Sequence, residues 1–302
     1  MNKASAFAPG HISGFFQVCD EPEDPAQIGS RNCGPCITAG VLTEVEVDEN
    51  SSGIQVYING EEAEYARTTK TAVKGTLKAM GQTAGVKVNH SVQAPIGAGY
   101  GLSGAGTVGA VLALSNAMSL RFSLTDISEI AHRAEIACKT GLGDVGPQMF
   151  GGLVISLEPG SSPYGEWARI ETPNDLQAVC GTWGPVSTSE LLKDPKFREK
   201  SKELGKEALD KLMRDRSMET FMKTSQEFAR KLGVLDEEFE EVLNELSKAT
   251  PIGASAVMLG RAIFALARKS EVEEVQSKFS DYFEPESIMV TSLDLQGARS
   301  TD

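Results

Sequence analysis

The sequence predicts an α+β protein with two domains, and three observations support this class. The 302 residues exceed the ~150 residues of a typical single domain. Segments that alternate apolar and polar residues, as strands do, are interspersed with segments whose apolar residues recur every three or four positions, as in helices. Prolines and glycines cluster at 158–174, and charged helical segments follow them. We therefore expect one domain over residues 1–160 and a helix-rich α+β domain over 161–302.

The first half of the chain predicts both strands and helices. Residues 41–48 and 53–60 alternate apolar and polar side chains around a turn, which is typical of a β-hairpin with one solvated face. Single strands are also predicted at 86–94 and 152–157. Helices are predicted at 70–84, 103–118 and 126–140. Thr125 or Asp126 is expected to cap the last of these helices.

The second half of the chain predicts mainly charged helices. Their expected positions are 189–194, 196–215, 217–232 and 236–248. Residues 254–268 are nearly uncharged and follow Pro251 and Gly253, so we expect a buried helix there. Short strands are predicted at 176–182 and 287–293.

Charge and composition exclude several classes of partner. The chain has 42 acidic and 29 basic side chains, a formal net charge of −13. Nucleic acids and anionic membranes both need a basic surface, so we expect neither as a partner. No apolar run reaches the ~18 residues of a membrane span, and residues 1–10 lack the apolar core of a signal peptide. Five cysteines without framework spacing complete the prediction of a cytoplasmic protein.

A glycine-rich segment at 95–109 links a predicted strand to a predicted helix. Glycines let backbone N–H groups approach an anion closely, and a helix N-terminus adds a favourable dipole. The segment therefore predicts a site for a diphosphate or triphosphate. It contains no lysine, which excludes a Walker A loop.

Two other interpretations of this segment stay open on its residues alone. Gly99, Gly101 and Gly104 fit the fingerprint of a dinucleotide-binding loop. The acid about twenty residues further on, Asp126, resembles a helix cap rather than a ribose-binding residue, so the pattern is weak. The glycines could also serve close helix packing only.

The same segment resembles the phosphate loop of the GHMP kinases, usually Pro-x-x-x-Gly-Leu-Gly-Ser-Ser-Ala-Ala. Here the sequence from Pro95 reads Pro-Ile-Gly-Ala-Gly-Tyr-Gly-Leu-Ser-Gly-Ala. Leu102 and Gly104 depart from the family pattern, whereas Ser103 retains its second serine.

Two more segments carry the resemblance to this family. Ala-Pro-Gly-His-Ile at 8–12 lies where the family has its first motif, with His11 in place of the usual Lys or Arg. Pro-Ile-Gly-Ala-Ser-Ala-Val-Met-Leu-Gly at 251–260 lies where the family has its third motif. The resemblance implies a fold with an N-terminal domain like that of ribosomal protein S5 and a ferredoxin-like C-terminal domain.

The resemblance also implies ATP and Mg²⁺ as the ligands of this loop. The nucleotide contacts that it implies are Pro95, Gly97, Gly99, Gly101, Leu102, Ser103, Gly104, Ala105 and Gly106. Ser103 and Glu135 are expected to hold Mg²⁺, and Asp144 to orient or deprotonate the acceptor hydroxyl. On the residues alone, Glu135 could instead lie on a solvated helix face, and Asp144 could stabilise a turn.

Details of the sequence resemble the archaeal pantoate kinases within this family. They are the opening Ala-Phe-Ala-Pro-Gly-His-Ile-Ser-Gly-Phe-Phe-Gln-Val-Cys, the Gly-Ser-Arg at 29–31 and the Gln-Met-Phe-Gly-Gly-Leu at 148–153. This resemblance implies phosphorylation of the 4-hydroxyl of pantoate by ATP, on the archaeal route to coenzyme A.

The acceptor contacts that this resemblance implies are Ser30, His132 and Thr188. Ser156 stands where the family suggests a basic residue, and Arg31 or Arg169 could supply the missing charge. His132 could equally be a buried, hydrogen-bonded core residue.

Other functions stay open at this point. The protein could phosphorylate another acceptor, such as homoserine or a mevalonate-like alcohol, or bind a ligand without catalysis, and it could form a homodimer. Retention of Ser103, Glu135 and Asp144 together argues against loss of catalysis. Cys33-Gly-Pro-Cys36 copies a thioredoxin-type motif, but it leads into a predicted strand rather than a helix, so we expect a coincidence.

Overall fold

The computed structural model describes residues 2–119, 122–185 and 194–301, which form two β-sheets with helices packed against them. Thr188 and all but the last residue of the predicted helix at 189–194 lie outside the described residues. Within the described part of the chain, no helix is both long and apolar enough to cross a membrane.

The first sheet is built around one long strand, β3, which pairs antiparallel with four other strands. Its strands are β1 Asn2–His11, β2 Phe15–Cys19, β3 Gly29–Asp48, β4 Gly53–Ile58, β5 Glu61–Glu62, β6 Gly85–Val92, β7 Leu153–Glu158, β8 Glu166–Ile170 and β13 Arg299–Ser300. The predicted domain division after residue 160 stays a prediction. The first sheet itself continues to the end of β8 and takes in β13, which pairs with β1.

The predicted hairpin of residues 41–48 and 53–60 is wrong. The two segments are strands, but β6 lies between them and pairs antiparallel with β3 and parallel with β4. Parallel pairing of β4 with β6 requires a crossover, and the helix α1 (Arg67–Ala79) supplies it. The predicted solvated face is confirmed, since Val45 and Val47 are buried whereas Glu44 and Glu46 are not.

The described part of this half has three further helices: α2 Leu102–Ala117, α3 Leu124–Cys138 and α4 Val145–Phe150. Small residues make up much of α2, which is buried almost throughout and packs on β1 and β3. The expectation that Thr125 or Asp126 caps α3 is wrong, because Ser123 is the N-cap. The Asp126 carboxylate accepts from the Ser123 amide, so the two residues form a capping box.

The second sheet has the strand order β10–β11–β9–β12. Its strands are β9 Leu176–Gly184, β10 Ala254–Ala256, β11 Arg261–Arg268 and β12 Ile288–Ser292. Among its described residues, this half has the helices α5 Pro195–Arg214, α6 Met218–Leu232, α7 Glu237–Ala249 and α8 Val272–Phe279, and a 3₁₀ turn spans Pro285–Ser287. The charged helices predicted at 196–215, 217–232 and 236–248 are confirmed within two residues at each end.

The prediction of a helix at 254–268 is wrong. The segment forms β10 and β11, joined by a turn in which Leu259 has a left-handed φ of 62°. As an inner strand, β11 is buried on both faces, so its sequence is a continuous apolar run without the alternation of a half-exposed strand. Such a run does not distinguish a buried strand from a buried helix.

Aromatic side chains join the two sheets through one hydrophobic core. Phe15 and Phe16 of β2 lie 6.3 and 5.5 Å from Phe228 of α6, measured between ring centroids. The same core contains Phe264 of β11, which is fully buried and whose ring centroid lies 6.3 Å from that of Phe221. This shared core holds together the two halves of the fold that line the cleft described below.

We expect Phe264→Ala to lower the free energy of unfolding by about 3–5 kcal/mol, because it leaves a cavity in a strand that cannot collapse around it. Urea denaturation measures the change. The control is Val290→Ala on the edge strand β12, where Val290 is 37% exposed and the expected loss is under about 1 kcal/mol. Equal losses in the two variants would contradict the central position of β11.

Candidate active site

A cleft of about 400 Å³ lies over the first turn of α2. Its wall brings together the glycine-rich segment, the start of α1, residues 139–144 and the turn at 258–259. These segments are far apart in the sequence and come from both halves of the fold. The cleft is therefore a place where groups from several elements can act on one ligand.

The glycine-rich segment reaches α2 through three left-handed glycines. Gly97, Gly99 and Gly101 have φ values of 77°, 87° and 64°, which only glycine adopts readily. Gly101 is the N-cap of α2, and no side chain caps this helix. The first amides of α2 therefore lack intrahelical partners and are available to an anion in the cleft.

Most of the predicted nucleotide contacts line this cleft. Those on its wall are Gly97, Gly99, Gly101, Leu102, Ser103 and Gly106. Gly104 and Ala105 are buried behind the wall, and Pro95 is exposed outside it. A ligand that contacts the backbone amides at the first turn of α2 does not need Gly104, Ala105 or Pro95 to line the cleft.

The departure from the family pattern at Gly104 has a steric reason. The Gln148 side chain of α4 packs against the first turn of α2, and its Nε2 donates to the Gly101 carbonyl at 2.7 Å. A Cβ atom at Gly104 would lie 2.6 Å from Gln148 Oε1 and 3.3 Å from Asp144 Cβ. Glycine at this position therefore lets α2 approach the residues that follow α3.

Ser103, which is exposed on the cleft wall, is hydrogen-bonded to the buried Glu135 behind it. Ser103 Oγ donates to Glu135 Oε1 at 2.7 Å, and Thr107 Oγ1 lies 3.3 Å from the same oxygen. Glu135 is only 2% exposed. Burial raises the pKa of its carboxyl to about 7, while the hydrogen bond from Ser103 opposes that change.

The Ser103–Glu135 pair has the donor chemistry that would suit a Mg²⁺ ion. Glu135 Oε2 is buried and makes no hydrogen bond, so it has a lone pair to offer. Carboxylate and hydroxyl oxygens are the hard ligands that Mg²⁺ prefers, usually one or two carboxylates with phosphate oxygens. In the described part of the chain, no group of three or more His, Cys, Asp or Glu residues could hold a metal by itself.

Asp144 lies on the cleft wall, immediately before α4, and is held by a buried histidine. His11, the last residue of β1, has its Nδ1 2.8 Å from Asp144 Oδ1. An ionised carboxylate only accepts hydrogen bonds, so Nδ1 carries the proton in this contact. The His11 amide donates to the Tyr100 carbonyl, which ties the same strand end to the glycine-rich segment.

The structure separates the predicted acceptor contacts. Ser30 lines the cleft. His132 does not, and its Nε2 donates to the Ile28 carbonyl at 2.8 Å while burial lowers its pKa. Arg31 pairs with Glu158 at 2.8 Å, and Arg169 donates to the Phe150 carbonyl, so neither guanidinium lies on the cleft wall. Arg31 or Arg169 could bind a ligand only if these contacts were broken.

The predicted site did not include Asn32, Arg67 and Lys139, which line the cleft, or His11, which is buried beside it against Asp144. Arg67 begins α1 and Lys139 ends α3 in a left-handed conformation, and both are exposed. Neither has an ion-pair partner among the described residues. No sequence motif marks either cation, whereas the first motif already contained His11.

The Cys33–Cys36 pair is structural in its setting. Both thiols are fully buried within β3, and Cys36 Sγ donates to the Pro147 carbonyl at 3.1 Å. Burial raises the pKa of each thiol well above its usual range, which disfavours the reactive thiolate. The motif does not open a helix, as a thioredoxin-type site would require.

Comparisons with known proteins identify the family of this fold and site. The family described as GHMP kinases N terminal domain matches residues 67–152. The chain is 32% identical over 272 residues to the pantoate kinase of Methanocaldococcus jannaschii, which covers 90% of this chain and 95% of that protein. The chain belongs to the GHMP kinase family, and the prediction of this family is confirmed.

Two further comparisons agree with this assignment. The chain is 33% identical over 285 residues to the pantoate kinase of Thermococcus kodakarensis, over 91% of each protein. A solved structure described as a phosphotransferase related to the CoA biosynthesis pathway superposes with a TM-score of 0.87 at 28% identity, over 99% of this chain and 98% of that one. The predicted α+β GHMP kinase fold is thereby confirmed.

The raised pKa of Glu135 predicts a dependence of stability on pH. Because the folded state favours the protonated carboxyl, the contribution of Glu135 to stability is full below pH ~4.5 and declines as the pH rises through about 7. Glu135→Gln removes this titration. Its stability relative to wild type should therefore increase between about pH 5 and about pH 8, by roughly 3 kcal/mol at most.

Urea denaturation in metal-free buffer at both pH values measures this difference. Asp126→Asn is a control on the same helix, because Asp126 is exposed and its pKa is lowered by hydrogen bonds from Ser123. A Glu135→Gln variant that differs from wild type by the same amount at both pH values would contradict the prediction.

Proposed function

We propose that this protein is an ATP-dependent kinase that phosphorylates the 4-hydroxyl of pantoate, a step of coenzyme A biosynthesis. The observation that carries the proposal is one cleft whose wall holds the first turn of α2, Ser103 with its partner Glu135 behind it, and Asp144. Phosphoryl transfer needs these three parts: a phosphate cradle, a metal site and a group that orients the acceptor. Similarity to two pantoate kinases along nearly the whole chain supports pantoate as the acceptor.

In this proposal the ATP phosphates lie across residues 97–106. The uncapped amides of α2 contact the phosphate oxygens, and the helix dipole favours their negative charge. Arg67 and Lys139 supply two cations on the same cleft wall. These cations are needed because the phosphate loop has no Walker A lysine. Charge compensation at the nucleotide thus comes from dispersed groups rather than from one loop.

Ser103 and Glu135 would hold Mg²⁺ in this proposal. When bound there, Mg²⁺ neutralises charge on the transferring phosphoryl group. Thr107, whose hydroxyl donates to the Ser103 carbonyl at 2.8 Å, fixes the turn that presents Ser103. The pair therefore offers a preformed pair of oxygen ligands rather than one assembled on binding.

Asp144 orients the acceptor hydroxyl, or accepts its proton, in this proposal. Its Oδ1 is held by His11, so the carboxylate has a fixed direction and one oxygen left for the acceptor. Ser30 contacts the acceptor from the same wall. We assign His132 a supporting role instead, because its ring holds the Ile28 carbonyl behind the cleft.

The acceptor is tested by ADP release coupled to NADH oxidation, with ATP, Mg²⁺ and a panel of acceptors. We expect kcat/KM for pantoate to exceed the values for homoserine and mevalonate by at least about tenfold. Rapid turnover of homoserine or mevalonate without turnover of pantoate would contradict the assignment of pantoate as the substrate. ATP binding without turnover of any acceptor would favour a binding protein that has lost catalysis.

Asp144→Asn tests the catalytic assignment. The amide cannot accept a proton and its NH₂ group can clash with the His11 donor, so we expect kcat to fall by about 100-fold or more. ATP affinity, measured by calorimetry, should stay within about threefold of wild type because the phosphate cradle is unchanged. Asp175→Asn is the control, since that exposed carboxylate pairs with Arg268 away from the cleft. A kcat near the wild-type value would remove Asp144 from the mechanism.

A further inference from the structure

The serine at 156 has a specific partner in the structure. Ser156 lies on β7 directly opposite Asn32 of β3, and both side chains are about 1% exposed. Ser156 Oγ donates to Asn32 Oδ1 at 3.1 Å. The position where the family suggests a basic residue is thus part of a neutral, fully buried hydrogen-bonded pair.

Asn32 uses its whole amide group in this setting. Its Nδ2 donates to the Gly143 carbonyl at 3.0 Å and to Ser30 Oγ at 3.2 Å. A flipped amide would place Oδ1 against the Gly143 carbonyl, where two acceptors would repel each other. The Gly143 carbonyl therefore sets the orientation of the amide, and the hydroxyl of Ser156 supplies the donor that the buried Oδ1 needs in that orientation.

Both groups that Asn32 contacts belong to the cleft. Ser30 Oγ accepts from Asn32, so its own proton is free to be donated to a ligand. The Gly143 carbonyl belongs to the residue that precedes Asp144. One buried amide therefore sets the direction of the Ser30 hydroxyl and the place of the backbone that carries Asp144.

The contact between Asn32 and the loop at 141–144 leaves no spare room. A Cβ atom at Gly143 would lie 2.1 Å from Ser30 Oγ and 2.5 Å from Asn32 Nδ2. Any side chain at 143 would thus push the loop away from the strand. This close fit is the second observation, independent of the hydrogen bonds, that links Asn32 to the position of Asp144.

We propose that Asn32, hydrogen-bonded by Ser156, is a positioning residue that holds the Ser30 hydroxyl and the Asp144 loop in one geometry. The proposal rests on the proposed function in one respect, that Ser30 and Asp144 act on the acceptor. Ser156 is accordingly the residue that satisfies Asn32 Oδ1, so a neutral hydrogen-bonding network stands where the family suggests a basic residue.

The test is Asn32→Asp, which keeps the size of the side chain and the bond from Ser156. The new carboxylate oxygen faces the Gly143 carbonyl, and it draws the Ser30 proton away from the acceptor. We expect kcat to fall and KM for the acceptor to rise, each by roughly tenfold, while KM for ATP stays within about twofold. A purely structural defect would instead lower the active fraction and leave both KM values unchanged.

Ser156→Ala and Ser156→Thr form the second arm. The alanine variant should shift kcat and acceptor KM in the same direction by a smaller factor, about threefold, and the threonine variant should restore both. Ser225→Ala is the matched control, because it removes a buried hydroxyl that donates only to the Phe221 carbonyl in α6. Thermal melting reports whether each variant folds.

The outcomes separate this proposal from the proposed function. Wild type that turns over pantoate, with folded Asn32→Asp and Ser156→Ala variants at unchanged kcat and acceptor KM, overturns the positioning role alone. If the wild-type protein does not phosphorylate pantoate but phosphorylates another acceptor, pantoate is the wrong substrate. The same variants are then compared with that other acceptor. If Asn32→Asp does not fold, the alanine and threonine pair at 156 decides the proposal.

Discussion

The close contact between the first turn of α2 and the residues that begin α4 is the constraint on which the rest of the site depends. Gln148 bonds the Gly101 carbonyl, and Gly104 leaves room for Asp144 and Gln148 where any Cβ would collide. The phosphate cradle and the loop that carries Asp144 are therefore one packed unit. Tyr100 extends this unit to the second sheet, because its hydroxyl lies 2.7 Å from that of Thr182 in β9. The distance between the phosphate site and Asp144 is consequently fixed by packing before any ligand binds.

Electrostatics within this unit differ from those of the protein surface. The chain carries a net charge of −13, yet the carboxyl that lies behind Ser103 of the cleft wall, Glu135, is buried and has its pKa raised to about 7. Solvated acids such as Glu44 and Glu46 lie on the open face of β3, where water screens them. Arg67 and Lys139 face the cleft without ion-pair partners in the described chain. A strongly acidic protein can thus present a local environment suited to a small polyanion.

The elements that were predicted correctly are those whose pattern is local. The charged helices α5, α6 and α7 each bury one face, and that periodicity is visible in the sequence. The hairpin of residues 41–60 and the helix at 254–268 failed for a different reason. Strand pairing depends on which strand is inserted between two others, here β6, and β11 loses its alternation because both its faces are covered. Neither fact is encoded in a short window of residues.

By itself the sequence determined the family, the phosphate loop and the acids Glu135 and Asp144 as site candidates, because motif residues keep their order along the chain. Only the tertiary structure decided how these groups are held. It placed His11 against Asp144, Asn32 beneath Ser30, and Arg67 and Lys139 on the cleft wall, while it turned Arg31 and His132 towards other partners. The physical reason is that a motif specifies which groups are present, whereas hydrogen-bond partners and burial arise from elements that meet only when the two sheets pack together.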